Sequence, residues 1–361
     1  VKEEKTMDRV VECVPNFSEG KRKDVIDEIV RAIESVDGVY VITSEMDPDY
    51  NRTVVTIVGS PENIVDGVFE GAKVALEKID MRYHKGEHPR MGAVDVVPFV
   101  PIRGVTMEEC VELARDFGGR LGNLGVPVYL YEYAATRPER KNLADIRRGE
   151  YEALPEKLKD PEWKPDFGPA EFNPKSGATV TGARKVLIAY NVNLNTDDVA
   201  LAKRIAETIR TSGKIVRDEK GNKVLGEDGK PLRIPGRLKA VKAIGVLLKE
   251  HNIAQVSMNL VDYEITPPHV AFEECKKEAK KYGAEVTGSE IVGVVPEEAL
   301  VMAGRFYMEK EGKSVENADT TPEGRRKLVD LAVEKLGLSQ LAPFKPEEKV
   351  IEYIVERLAG K

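Results

Sequence analysis

ARKVLIAYNVNLNTDDVALAKRIAETIRTSG, residues 183–213, is the stretch whose reading decides the fold. Its first dozen residues are apolar and β-branched enough for a strand, and the Asn and Asp run after them breaks that strand. Thr196 is placed to cap a helix whose apolar residues recur at three- and four-residue spacing, and Gly213 stops it. Downstream, RLKAVKAIGVLLKE and NIAQVSMNLVDYEI read as strands, PPHVAFEECKKEAKKYG as a Pro-started helix, EVTGSEIVGVVP as a strand and EEALVMAGRFYMEK as a helix. The second half is therefore strand–helix–strand–strand–helix–strand.

The first half has the same order. VVECVPNF is a strand, and Ser18 is expected to cap a helix through KRKDVIDEIVRAIESV. VYVIT and NRTVVTIVG are strands, and Ser60–Pro61 reads as the start of a second helix ending near Ile79. The prolines of AVDVVPFVP predict a short or irregular strand. Thr106 and Glu109 have capping-box spacing for a third helix, which leads to the strand PVYLYEY. The fold class expected is α+β, with two α/β sandwich subdomains of βαββαβ (ferredoxin-like) type. Each leaves one sheet face open, so the two are expected to face each other across a substrate groove. The expected domains are 8–184, 185–320 and a C-terminal helical tail, 321–361.

Two stretches break the pattern. Residues 134–177 alternate short helical pieces with the Pro- and Gly-rich DPEWKPDFGPAEFNPKSG. Composition alone favours a linker there, although long irregular segments inside compact proteins are also where function sits. RDEKGNKVLGEDGKPLRIPG reads as a surface hairpin.

Composition excludes several classes. Among 361 residues, the net charge of −7 argues against nucleic-acid binding, while an anionic small substrate would need a local basic pocket. No apolar run is long enough for a bilayer, and the charged start VKEEKTMDRVVE lacks the apolar core of a signal peptide. The reading is a cytoplasmic protein with no membrane role, with Met7 as its natural start. Three scattered cysteines without a CxxC pair fit buried, inert thiols. Abundant Lys and Glu beside only two Gln lean toward a thermophilic source.

The densest titratable chemistry is HKGEHPRMGAVDVVPFVP, residues 84–101. His84 and His88 have a helical metal-clamp spacing, but Gly86 and Pro89 disfavour a regular helix and no cysteine lies nearby. No metal is expected. EGKS at 311–314 has Tyr307 where a phosphate loop needs glycine, GGRLGNLG lacks a dinucleotide-loop order, and no GxSxG frame is present. What remains is acid–base chemistry by a histidine, tuned by Lys85, Glu87, Arg90 and Asp95.

VECVPNFSEG, NRTVVTIVGSPE, HKGEHPRMGAVDVVPF, GEYEALPEKLKDPEWKPDFGPAEFNP, GATVTGARKVLIAYNVNL, PGRLKAVKAIGVLLKE, QVSMNLVDYEIT and LAPFKPEEKVIEYIVERL together resemble the formiminotransferase domain of glutamate formiminotransferases, in order and over nearly the whole chain. The resemblance implies transfer of a formimino group from N-formimino-L-glutamate to tetrahydrofolate as co-substrate, giving glutamate and 5-formiminotetrahydrofolate, as in histidine degradation. It implies His88 as the catalytic histidine. Relatives vary at Asp47 and Asp49, so the carboxylates are argued from charge instead: the reacting centre is cationic, and Glu87 or the Asp47/Asp49 pair are the acidic groups expected beside it. It places the folate-contacting segment at Gly168, Pro169, Ala170, Glu171, Phe172, Asn173, Pro174, Lys175, Ser176 and Gly177. Arg52, Arg90 and Arg184 lie inside matching motifs as candidate carboxylate binders, each with a surface ion pair as the plainer alternative. A homodimer is implied, and so is a separate cyclodeaminase, since bifunctional relatives continue into that domain. The chain departs from some relatives at Ser176, where they have Trp, and in its longer hairpin at Gly221–Pro235. Alternatives are one-carbon chemistry on 5-formyltetrahydrofolate in the same groove, or a non-catalytic folate-binding protein.

Overall fold

The computed structural model describes residues 9–359. Met7, read as the natural start, and Asp8, the first residue assigned to the first domain, lie outside them. Two compact units are present. One runs up to Lys185 and takes up the chain again from Val355, and the other spans Val186–Ile354.

In the first unit the elements are β1 (Val10–Cys13), β2 (Asn16–Phe17), α1 (Lys23–Glu34), β3 (Val39–Asp47), β4 (Arg52–Gly59), α2 (Ile64–Lys78), β5 (Val94–Arg103), α3 (Met107–Asn123), β6 (Val128–Glu132), the short α4 (Leu143–Ile146), α5 (Glu150–Lys157) and β7 (Thr179–Ala183). β3 pairs with β4, β4 with β1 and β2, and both of these with β5, all antiparallel. That is the expected βαββαβ order, with strand one split at Val14–Pro15. β7 then adds parallel to β5, and β6 parallel to β7, giving seven strands. Alternation puts Val11, Cys13, Phe17, Val55, Ile57 and Phe99 into the core against the helices. The intervening residues, Glu12 among them, face the other way.

Part of that second face is covered. Ile146, Leu154 and Leu158 of the irregular stretch pack on Val96, Tyr129, Tyr131 and Val180, with Tyr151, Trp163 and Phe172 beside them. Residues 134–177 are thus a layer over the β5–β7–β6 end of the sheet, not a linker.

Local readings hold at Thr106, whose hydroxyl and Glu109 form a reciprocal capping box. Others move. Ser18 does not cap α1: its hydroxyl donates to the Gly92 carbonyl at 2.7 Å and its N–H to Ala93, so it still belongs to the β2–β5 ladder. The carboxylate of Glu19 takes the N–H groups of Lys21 and Arg22 instead, both at 2.9 Å. α2 starts at Ile64, because Ser60–Pro61 is spent on a turn whose Ser60 carbonyl accepts from Asn63 and Ile64. β5 is ten residues long despite its prolines. Pro98 lies opposite the break between β1 and β2, where its carbonyl accepts from Val14, and Pro101 lies beyond the end of β7's pairing at Ala183. Neither missing N–H leaves a neighbouring strand short of a partner.

The second unit holds β8 (Ile188–Leu194), α6 (Val199–Ile209), a small hairpin of β9 (Lys214–Ile215) and β10 (Arg233–Ile234), β11 (Val241–Leu248), β12 (Ile253–Leu260), α7 (Pro268–Lys281), β13 (Val286–Val292), α8 (Glu297–Lys310), α9 (Pro322–Lys335), α10 (Pro346–Lys349) and α11 (Ile351–Ala359), whose last residues run into the first unit's part of the chain. Its sheet is fully antiparallel in the order β11-β12-β8-β13, a ferredoxin-like arrangement. The cap of α6 is Asp198, whose carboxylate accepts from Ala200 and Leu201, while Thr196 holds the N–H of Asp198. α9, placed at the start of a separate tail by the sequence, packs along α8. No helix among the described residues is long and apolar enough to cross a membrane.

Candidate functional site

The turn that joins β3 to β4 and the segment after α2 clasp each other. Asp47 organises the turn, its carboxylate accepting the N–H groups of Asp49 (2.9 Å) and Tyr50 (2.8 Å). Asn51, at positive φ, gives its side-chain amide to the Lys85 carbonyl, and the Glu87 N–H reaches the Asp49 carbonyl. Gly86 is required there, since a Cβ would stand 2.1 Å from the Tyr50 carbonyl oxygen. His84 donates from Nε2 to the Asn51 carbonyl at 2.8 Å and accepts from Arg90 at Nδ1. Both its nitrogens are thus occupied by structural bonds, and burial holds it below the usual histidine range.

The clasp delivers His88 onto Tyr50 and Arg52. The rings of His88 and Tyr50 lie 5.6 Å apart, and Arg52 Nη1 is 2.6 Å from His88 Nε2. A guanidinium only donates, so Nε2 is the acceptor and the imidazole is neutral with its proton on Nδ1. Burial, then Arg52, then Arg147 push the His88 pKa down to about 4, with Pro89 and Asp47 pulling weakly the other way. Arg147, between α4 and α5, ion-pairs with Asp95. Asp95 is 1% exposed and also accepts the Met91 N–H at 2.7 Å. Burial pushes its carboxyl up, and Arg147 and that N–H pull it back. Nδ1 of His88 and Nε of Arg52 and of Arg147 are buried without a hydrogen-bond partner.

The remaining expected site residues divide. Arg184 stands beside buried Glu12 and Tyr131, next to the end of β7, and donates to the Lys185 carbonyl at 3.0 Å. Arg90 is committed elsewhere: it is 8% exposed and forks onto Glu152 at 2.7 and 2.8 Å, with Glu150 at 3.1 Å. Glu87 is exposed. Arg147 was missed by sequence reasoning, since it lies in the irregular stretch and its partner Asp95 is 52 residues away.

The segment Gly168–Gly177 is docked against the same support. Asn173 turns it, its side chain accepting from Lys175 and Ser176 and its carbonyl from Gly177. The Lys175 ammonium reaches the Glu77 carbonyl at the end of α2, where a cation suits the helix dipole, and the Lys175 carbonyl accepts from Met81. Tyr151 bonds the Pro174 carbonyl, and its ring lies 5.4 Å from that of Phe172. Gly177, at φ +65°, bridges to Gly92, and Ser176 accepts from Ala93. Ser176 is buried, so it offers no stacking surface. Gly168, Ala170, Glu171, Pro174 and Lys175 are exposed, and Pro169, Phe172 and Asn173 are half-buried.

Chemically the cluster offers one imidazole, a group of arginines and no thiolate. Cys13, Cys110 and Cys275 are buried, and burial raises all three thiols, that of Cys110 to about 12. Among the described residues no three His, Cys, Asp or Glu side chains converge as a metal site. His269 is buried against Phe306 at 4.7 Å, and His251 lies exposed in a turn.

Two ferredoxin-like units, the first presenting a neutral histidine among arginines, define the class: an α+β protein built of two such subdomains. The N-terminal subdomain of the formiminotransferase domain matches residues 10–184, and the formiminotransferase domain matches residues 189–356. The chain belongs to the formiminotransferase domain family. It is 51% identical over 350 residues to the formimidoyltransferase-cyclodeaminase of Mus musculus, covering 97% of this chain and 60% of that protein. It thus spans less than two thirds of that relative. It is 47% identical to the glutamate formimidoyltransferase of Thermoplasma acidophilum and 44% identical to that of Streptococcus pyogenes, each over 84% of this chain and 93% and 95% of theirs.

Proposed function

We propose that the chain transfers the formimino group of N-formimino-L-glutamate to N5 of tetrahydrofolate, with His88 as general acid and base. The observation that carries this is the half-buried, neutral His88 in a cluster of arginines, within a chain matched almost end to end by the formiminotransferase models. The formimino carbon is part of a protonated amidine and is already electrophilic. Attack by N5 gives a tetrahedral intermediate, and the N5 proton must leave while the glutamate nitrogen gains one. A neutral imidazole takes the first proton and returns it to the departing amine, so the C–N bond to glutamate breaks with no net proton change. Such a shuttle contributes about 10²–10⁴-fold. Tetrahydrofolate is the co-substrate in this reading, and no step calls for a metal.

Asp47 and Glu87 act through their charge in this scheme, Asp47 directly beside the His88–Arg52 pair. Gly168–Gly177 supplies the folate contacts, with Phe172 as its aromatic surface. Arg52 and Arg184, joined by Arg147, take substrate carboxylates, and the ion-paired Arg90 supports the loop. Closing the product's ring with loss of ammonia needs a further acid. His251 lies in a surface turn and His269 is a packed core ring, so this reading assigns that step to a cyclodeaminase centre and not to this site. The reading includes a cytoplasmic homodimer, which sedimentation of the purified chain tests. The central test mixes purified protein with formiminoglutamate and tetrahydrofolate and measures glutamate. Release proportional to enzyme is expected, and none above the uncatalysed rate overturns the reading.

A further inference from the structure

We infer that Arg52 is a latch on His88 which a substrate carboxylate opens, with Arg147 as the fixed half of the carboxylate clamp. The inference rests on the transfer reading above and adds a regulation of the same site. At 2.6 Å the Arg52 guanidinium donates into the lone pair of Nε2, the electron pair that must take the proton from the attacking nitrogen. The other nitrogen, Nδ1, carries the ring proton and is buried, so it cannot stand in. His88 can therefore act as a base only after Arg52 turns away.

The surroundings say what turns it. Among the described residues the charged and titratable groups facing the His88–Arg52 pair are Tyr50 under both, Asp47 already holding two turn N–H groups, Arg147 next to them, and Asp95 tied to Arg147 and Met91. Among the described residues no carboxylate is within ion-pair reach of Arg52, and its buried Nε makes no hydrogen bond. A guanidinium binds a carboxylate more strongly than a neutral imidazole, and bidentately. Arg147 is held in place by Asp95, and its Nε also lacks a partner. A glutamyl carboxylate entering here gains one guanidinium that is already positioned and recruits the second from the histidine. The imidazole then loses an adjacent cation and gains an adjacent anion, and both changes raise its basicity. Proton transfer is switched on by the substrate that needs it. Arg52, Arg147 and Asp95 are positioning residues in this scheme, and His88 moves the proton.

The test is a histidine-ring ¹⁵N NMR titration of the full chain, with L-glutamate as the probe because it carries the same two carboxylates. The His88 signals are assigned with His88→Asn. Without glutamate, His88 should remain the neutral Nδ1–H form down to about pH 5; saturating glutamate should raise its midpoint by at least about one pH unit. In Arg52→Met the midpoint should already be raised, with little further response to glutamate. The wild-type titration suffices even if that variant does not fold. An unchanged wild-type midpoint, or no glutamate binding by calorimetry, overturns the latch. Failure of the transfer reading shows separately, as no glutamate release from formiminoglutamate and tetrahydrofolate. An active enzyme with an unresponsive His88 sinks the latch alone.

Discussion

Lowering the pH from 7 to 5 should barely touch kcat/KM. That ratio reports the protonation of the essential base before substrate binds. An ordinary histidine with a pKa of about 6.5 is about 75% neutral at pH 7 and about 3% at pH 5, so it would lose about 25-fold. His88 is pushed down to about 4 by burial and by Arg52 and Arg147. A base with that pKa is still about 90% neutral at pH 5, a loss of only about 1.1-fold. The assay is the initial rate of glutamate release at limiting formiminoglutamate and saturating tetrahydrofolate, from pH 4.5 to 8. Ionisation of the folate itself cancels in the ratio of wild type to Arg52→Gln, which lacks one of the two depressing cations. The variant's acid limb should therefore lie at higher pH than the wild type's. The kcat profile reads the complex with substrate, and its acid limb should also lie higher, because there the carboxylate has drawn Arg52 away. A wild-type kcat/KM limb centred near 6.5 would refute the reasoning: either His88 is not the base or its burial beside two guanidiniums does not govern it.

His88→Asn should lower turnover by at least about 100-fold with folate binding kept, as expected for loss of an acid–base group. His84→Asn, which disturbs only the Asn51 and Arg90 bonds, should be far milder, and steady-state kinetics on both variants decides. Gly92→Ala would put a Cβ 2.4 and 2.5 Å from the carbonyl oxygens of Ala178 and Ser176. Chemical denaturation should show a loss of about 1–3 kcal/mol, and the KM for tetrahydrofolate should rise as Gly168–Gly177 is pried from its support. Asp95→Asn leaves the Arg147 cation without its partner and should cost about 3–5 kcal/mol. Adding Arg147→Met should restore much of that stability but not activity; strict additivity of the two changes would contradict the pairing.

How much of this was legible in the sequence depends on the range of the interaction. The doubled βαββαβ order rests on periodicity and punctuation within some twenty residues, and it appears in both units. The Thr106–Glu109 capping box is likewise local. Ser18 and Thr196 failed as caps through long-range or neighbouring competition: Ser18 is claimed by β5, and Asp198 presents a better acceptor two residues after Thr196. The prolines of β5 misled because proline is read as a lost ladder bond, whereas Pro98 faces a break in the neighbouring strand. Arg90 and Arg147 show the same limit in the site. Both are arginines near acidic residues in sequence, and only the fold shows that Arg90 is spent on Glu150 and Glu152 while Arg147 is aimed beside His88.

The same cluster bears on how a chain of net charge −7 would receive the dianionic ligands of the proposed reaction. Around His88 two guanidiniums, Arg52 and Arg147, stand against two carboxylates, Asp47 and Asp95. Their commitments break the tie. Asp95 is spent on Arg147 and the Met91 N–H, and Asp47 has already lent one oxygen to the turn. Nε of Arg52 and of Arg147 is buried without a hydrogen-bond partner. Acidic residues elsewhere on the surface are screened beyond about 8 Å at physiological ionic strength, while partly buried charges are screened much less. Each incoming carboxylate thus meets cations that the protein has only partly neutralised. His88, rendered a poor proton acceptor by those same cations, regains its basicity as they are neutralised.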